Sequence, residues 1–443
     1  MRALALRSLR HRASGFTATV VSVLLAGVLM GSFTPLLQRA LAGGIPSTDR
    51  QTLIVMGAVV GGIGMLIALF AVTSTVGVTI AQRDVETGLL RTLGATRSQV
   101  RRLVRVETLL VTALAAATGS LVGALVGNRA LLAGMHRGNL VTASVSYRPG
   151  WVAAAATTIA LVVAALVAAG VAGHRATRGT PSIVPGEESR GSERIAWWRW
   201  LLAVALVGYG ITMGIITVTV SRYAPDPYDA MSTAGSDALL VGLGLAVICP
   251  ALLRGFARIA SATSPAAHLA SHNLRRRSQL FAGVLGPVIV LTSAVVSTVI
   301  LVGIDRRTLP PGHGADERAI NTLNDVVVGM IALFAAIMVV NSFAAVIVHR
   351  RHELQRLRLL GADRHQVHAS VVTESVYVGI LGVAVGLVAS LATIVPFGIA
   401  RGEGVVPDAG LWLPWAVAAA VLALTTAAAR IAVGRATREQ ALP

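Results

Sequence analysis

Long apolar stretches alternate with short charged ones along the whole chain, and the apolar stretches set its class. Gly15–Leu37, Thr52–Ala81 and Leu280–Ile304 each reach the roughly 20 residues that a helix needs to cross a bilayer. These runs are rich in Ala, Leu, Val and Gly and lack the strict alternation of a barrel strand. Lipid satisfies no free backbone group, so only helices and closed barrels span it. The pattern predicts an all-α, polytopic helical membrane protein. About ten transmembrane helices are expected, near 15–37, 52–81, 105–132, 150–173, 200–220, 236–254, 280–304, 323–348, 369–398 and 412–433.

One polar segment between these runs occurs twice. Arg83–Val100 and Arg350–Val367 stand at a constant offset of 267, matching Arg83 with Arg350, Glu86 with Glu353, Arg91 with Arg358, and Leu93-Gly94-Ala95 with Leu360-Gly361-Ala362. Arg97, Gln99 and Val100 match Arg364, Gln366 and Val367, and the register continues to Glu107/Glu374 and Gly119/Gly386. The entry recurs as well: Ala5–Arg12 parallels Ala270–Arg277, and both read as amphipathic elbow helices lying on a leaflet. A cleaved signal peptide would have no such internal twin. The chain therefore divides into a first four-span repeat (1–178), a linker with connecting spans five and six (179–264), and a second four-span repeat (265–443). Four spans per repeat make the two parallel, related by an axis along the membrane normal. Residues Thr180–Arg194 form a polar Pro/Gly/Ser-rich linker, and Trp197, Trp198 and Trp200 then anchor span five at the interface.

Composition agrees and adds an orientation. Hydrophobic residues make up 54% and charged residues 13% of the chain, and mean hydropathy is +0.72. Soluble domains carry about 25% charged residues. All 38 basic residues are Arg, which points to a GC-rich bacterial genome and excludes a P-loop or Schiff-base lysine. With a cytoplasmic N-terminus, 28 Arg fall inside and 10 outside, so both termini are expected in the cytoplasm of a bacterial cell, with the chain in its plasma membrane. Asp49, Asp226, Asp229, Asp305, Asp316, Glu317 and Asp408 fall in the outer loops. The single Cys249 permits no internal disulfide and reads as a packing residue.

Within the duplicated segment, Leu89, Leu90 and Leu93 form an apolar stripe. Gly94 fits a helix C-cap, and Thr96 fits the N-cap of the next helix. Positive-inside topology needs only charge, so a Leu-Gly-Ala triplet at fixed spacing, present twice, asks for more. Glu86–Val100 with Glu107, and Glu353–Val367 with Glu374, resemble the FtsX-like (MacB-type) ABC transporter permeases, in the ten-span form with two repeats. That resemblance implies a separate cytoplasmic ABC ATPase as partner, two copies per permease chain, which binds the ATP and Mg; no cofactor is expected in this chain. It implies coupling helices carried by Arg83, Glu86, Leu93, Gly94, Ala95 and Arg97, and by Arg350, Glu353, Leu360, Gly361, Ala362 and Arg364. Glu107 and Glu374 are expected to brace these segments against a nearby Arg.

Many members of that family carry a large outer domain between the first two spans of a repeat. Here the loops Gln38–Gln51 and Asp305–Asn321 are too short for one. That argues against lipoprotein release, tripartite efflux and peptide sensing. It favours export or extraction of a lipophilic or amphipathic substrate: a drug, peptide or lipid. There is no GxxxxGK[ST] or GxSxG, and His352-Glu353 meets Arg356 where a zincin has its second His. No catalytic, metal or nucleic-acid site is expected. Mid-span positions carry only small polar residues such as Thr73, Ser74, Thr75, Asn341 and Ser342, read as helix–helix glue. A non-transporting mechanotransmitter for an envelope partner is the alternative. An ion-coupled carrier is a third reading, opposed by a midplane without ionisable groups.

Overall fold

The structure is a computed structural model. It describes residues 13–81, 84–137, 140–178, 196–223, 228–259, 265–308, scattered positions from 329 to 357, and 359–438. The first elbow, the Thr180–Arg194 linker and most of the span expected at 323–348 lie outside the described residues. All regular structure among the described residues is helical. Among the described residues seven helices are long and apolar enough to cross a membrane, or eight if one bent pair is a single span. The chain folds as two compact units, Met1–Glu193 with His313–Val327, and Arg194–Gly312 with Val328–Pro443.

The first unit runs α1 (Ala13–Leu41), α2 (Ser47–Ile54), a π turn (Val55–Val60), α3 (Gly61–Ala81), α4 (Asp84–Thr92), α5 (Arg97–Val122), a second π turn (Gly123–Gly127), α6 (Asn128–Arg137) and α7 (Trp151–Arg178). α2, the first π turn and α3 together make the span expected near 52–81. Lipid offers no hydrophobic drive to bring apolar helices together, so close packing of small residues has to do it. α1 and α5 meet on facing glycines. A Cβ on Gly119 would sit 2.4 Å from the Leu24 carbonyl oxygen, and one on Gly123 would sit 2.3 Å from that of Val28, with the Gly31 backbone at 2.9 Å. Hydroxyls join the other faces: Thr19 to Thr79 at 2.9 Å, and Thr34 to Thr157 at 3.0 Å.

The second unit runs α8 (Trp197–Thr219), α9 (Tyr228–Ala234), α10 (Asp237–Val247), α11 (Cys249–Ile259), α12 (Pro265–Arg276), α13 (Ser278–Thr308), α14 (Arg364–Arg401) and α15 (Leu413–Arg438). Here Gly386 faces the Ile289 carbonyl at 3.0 Å and Thr292 Cβ at 2.6 Å. Leu24 and Ile289 are 265 residues apart, the offset of the two elbows, so the helix contact repeats along with the sequence. The helices expected to join the repeats pack inside this unit. α8 contacts α10 through Gly210 and Gly244, and α14 through Gly214 against Pro396. α10 turns by 73° into α11. α11 carries buried Leu253 on one side and Arg254 and Arg258 on the other. The second elbow is α12, and its Leu274 is fully buried in protein where lipid contact was expected.

Candidate functional site

From Leu357 on, the described part of the second copy of the duplicated segment folds like the first. In the first, α4 stops where Gly94 takes φ +96°, and the Gly94 and Ala95 N–H groups donate back to the carbonyls of Arg91 (3.1 Å) and Leu90 (2.9 Å). This is the paired bonding of a glycine-closed helix end, open to Gly because a Cβ disfavours the left-handed conformation. In the second, Gly361 also takes φ +96°, and Ala362 N–H donates to the Leu357 carbonyl at 3.0 Å. The next helix starts with matched caps. Thr96 N–H donates to Gln99 Oε1 at 2.9 Å while its own hydroxyl accepts from Gln99 N–H; Asp363 N–H donates to Gln366 Oε1 at 3.1 Å. Each copy thus has a glycine turn closed by backbone bonds and leading into a capped helix; in the first copy α4 precedes it.

Its apolar residues face outward. Leu93 is 77% exposed and Leu360 84%, and Leu89 and Leu359 are exposed too. Val100 and Val367, one turn into the following helices, are buried and root the elbow in its unit. Ala95 and Ala362 are half-buried, Arg97 opens α5 in an exposed position, and Arg364 opens α14. Glu86 lies on α4. Arg83, Arg350 and Glu353 lie outside the described residues.

Glu107 is 2% exposed and Glu374 1%. The Glu374 carboxylate accepts a 2.7 Å hydrogen bond from the Asn273 amide, which ties α14 to the elbow helix α12. α12 and the glycine turn are therefore held by one helix, ten residues apart along α14 at Arg364 and Glu374. No group of His, Cys, Asp or Glu that could hold a metal occurs among the described residues.

The pattern description "FtsX-like permease C-terminal" matches residues 58–181 and 326–441, more than half of the chain and each segment containing one copy of the elbow. The chain belongs to the FtsX-like permease family. It is a multi-pass membrane permease, a class that is generally non-enzymatic and works with an ABC ATPase. No curated protein matches it by sequence.

Two features of the second unit were not foreseen. Asp305, expected in an outer loop, is buried in the last turns of α13 and paired with Arg401 of α14. Beside it, Arg307 grips Glu403 with two 3.0 Å bonds, and Asp408 N–H adds a third at 3.2 Å. Burial opposes the charge on Glu403, but the bonds from Arg307 and Asp408 outweigh it and hold the carboxyl below its usual value. The second feature is Asp237, the first residue of α10. It is 0% exposed, and neither carboxyl oxygen has a hydrogen-bond partner. The sequence singles out only small polar residues at mid-span positions, and this buried, unpartnered carboxyl is not among them. The signal was present in the sequence, an acid at the start of an apolar run, but it reads there as the edge of a span.

Proposed function

We propose that this permease is the transmembrane subunit of an ABC transporter that exports or extracts a lipophilic or amphipathic substrate, driven by ATP hydrolysis on a separate cytoplasmic ATPase. The observation that carries the reading is the pair of glycine turns with the same φ, a matching back-bond and exposed leucines. A rigid elbow with an apolar tip and flanking arginines suits a groove on a partner, where the leucines become the buried centre and the charges the rim. Two elbows in one chain suit two ATPase subunits. The elbows then lie in the cytoplasm of a bacterial cell, and so do both chain termini.

α14 supplies the route for force. It begins at the elbow, holds α12 through Glu374 and Asn273, and runs the full depth of its unit to Arg401. Movement of the elbow is transmitted along that single helix.

Co-expression with the nearest encoded ABC ATPase tests this. A complex of one permease to two ATPases, with lipid-dependent ATP hydrolysis, is expected. Leu93→Asp with Leu360→Asp should abolish co-purification while leaving the permease folded. A chain that binds no ATPase, or whose complex ignores both substitutions, refutes the docking role. ATP-dependent movement of substrate then separates an exporter from a mechanotransmitter.

A further inference from the structure

Asp237 sits just after a break between α9 and α10, and a side chain fills the break. α9 and α10 would be one helix if Ala238 N–H reached the Ala234 carbonyl. Instead the Thr393 hydroxyl of α14 stands between them, accepting from Ala238 N–H at 2.9 Å and donating to Ala234 O at 2.8 Å. Insertion of a side chain into the backbone ladder is a known cause of such breaks. Asp237 opens the second half-helix.

Its depth follows from the flanking elements. α10 has 11 residues, so it spans about 16 Å. At its far end the Val247 carbonyl takes a hydrogen bond from Arg199, and the arginine-bearing α11 turns away. On α8, Gly210 faces Asp237, with a Cβ there 3.0 Å from the Asp237 carbonyl oxygen. Gly210 lies between Arg199 and Arg222, about 16–18 Å from each along the helix. With Arg199 and Arg222 at the two faces of a hydrocarbon layer about 30 Å thick, Asp237 lies near its middle. An ionisable group at that depth without a partner is characteristic of a functional site.

An apolar groove lies next to it. A space of about 360 Å³ runs between α8 and α14, lined by Ile211, Gly214, Val218, Ala392, Val395 and Ile399 among others. Ile211 follows Gly210, which backs Asp237, and Ala392 precedes Thr393, which bridges the break. Where the two helices touch, at Gly214 against Pro396 and Ala392, the contact is made by small residues.

We propose that the groove and Asp237 together form the binding site for a lipophilic cation. The groove takes the apolar body. Asp237 draws the positive group through the small-residue seam between α8 and α14, which parts to admit it. Charge complementarity selects this occupant: only a cation pairs with the carboxyl and favours its charged form, whereas an anion or a neutral lipid chain gains nothing from it. The proposal rests on the reading of the chain as an exporter of amphipathic molecules and names the class of that substrate.

The test uses the full chain alone in uncharged phosphatidylcholine nanodiscs, with tetraphenylphosphonium and tetraphenylborate as probes of like shape and opposite charge. Saturable binding of about one phosphonium per chain is expected, at least tenfold tighter than the borate. Asp237→Asn should erase the preference, Asp237→Glu should keep it, and Ala392→Phe should remove binding of the phosphonium by filling the groove. Equal binding of both ions, no phosphonium binding at all, or a preference that survives Asp237→Asn in a protein of unchanged thermal stability overturns the proposal. No ATPase or nucleotide is present, so a failure here is distinct from a failure of the docking reading.

Discussion

The two ends of the repeat were built under different constraints. At the elbow end the described residues of the two copies agree: the same φ at Gly94 and Gly361, the same back-bond to Leu90 and Leu357, and the same backbone bond to the side chains of Gln99 and Gln366. At the opposite end they share almost nothing. The first unit closes with Asp49, which accepts from the Thr142 N–H at 3.2 Å and from the hydroxyls of Thr142 and Ser144. The second closes with two Arg–carboxylate pairs, Asp305–Arg401 and Glu403–Arg307. On the function proposed above, a surface that meets two copies of one partner has to keep one shape. A surface that only finishes a helix bundle is free to drift as long as its buried polar groups are satisfied.

Substitutions at the divergent end should be the most damaging to stability and the least damaging to ATPase docking. Asp305→Asn leaves Arg401 buried without its counter-charge, and should cost about 3–5 kcal/mol, read as a lowered unfolding temperature in detergent. The glycine contacts come next. Gly123→Ala drives a methyl group into the α1 backbone and should cost about 1–3 kcal/mol. At offset 267 its counterpart is Ser390, which already carries a side chain, so Ser390→Ala should be far milder. Equal effects would show that the two α1/α5-type contacts are alike after all.

The elbow end makes the reverse prediction. Gly94→Ala and Gly361→Ala have open space around the new methyl group but must hold φ +96°, at about 1–2 kcal/mol each. The two should be equal in stability cost, and both should depress partner-stimulated ATP hydrolysis. Unequal losses would break the symmetry argued here. The smallest effect is a pH dependence. Glu403 is held below its ordinary value of 4.5, so its pair with Arg307 contributes fully above pH 4.5. That contribution fades only as acid drops the pH through the lower folded value. Glu403→Gln should flatten stability below about pH 4.5 and leave neutral-pH function intact.

The same contrast explains what could be read from the sequence. The elbows were legible because their shape is local: a glycine that must be left-handed, with its caps within five residues on either side. The spans were legible because hydropathy is local too. The Asp305–Arg401 pair joins residues 96 apart, and nothing in either neighbourhood announces the other. Asp237 was missed for a related reason. The apolar window begins beside it, so it reads as the edge of a span, and only the threading of Thr393 between Ala234 and Ala238 shows that the helix continues past it. The π turns carry no signal beyond a few glycines, and Gly123 and Gly127 have close-packing duties of their own.

The π turn at Gly123–Gly127 has one more consequence. Its last bond runs from Asn128 N–H to the Gly123 carbonyl, so it holds one residue more than an α turn would. Everything beyond it is rotated by about 100° relative to a regular continuation. That rotation brings the Asn128 amide onto the Ser32 carbonyl at 2.9 Å, and the Ala124 carbonyl stands free to accept from Tyr147 at 3.1 Å. α14, the matching helix, runs from Arg364 to Arg401 without such a step. The first unit therefore holds about 100° of phase that α14 lacks: a π-to-α conversion at Gly123–Gly127 would swivel α6 while α5 stays still, giving a nominally duplicated machine one free gear.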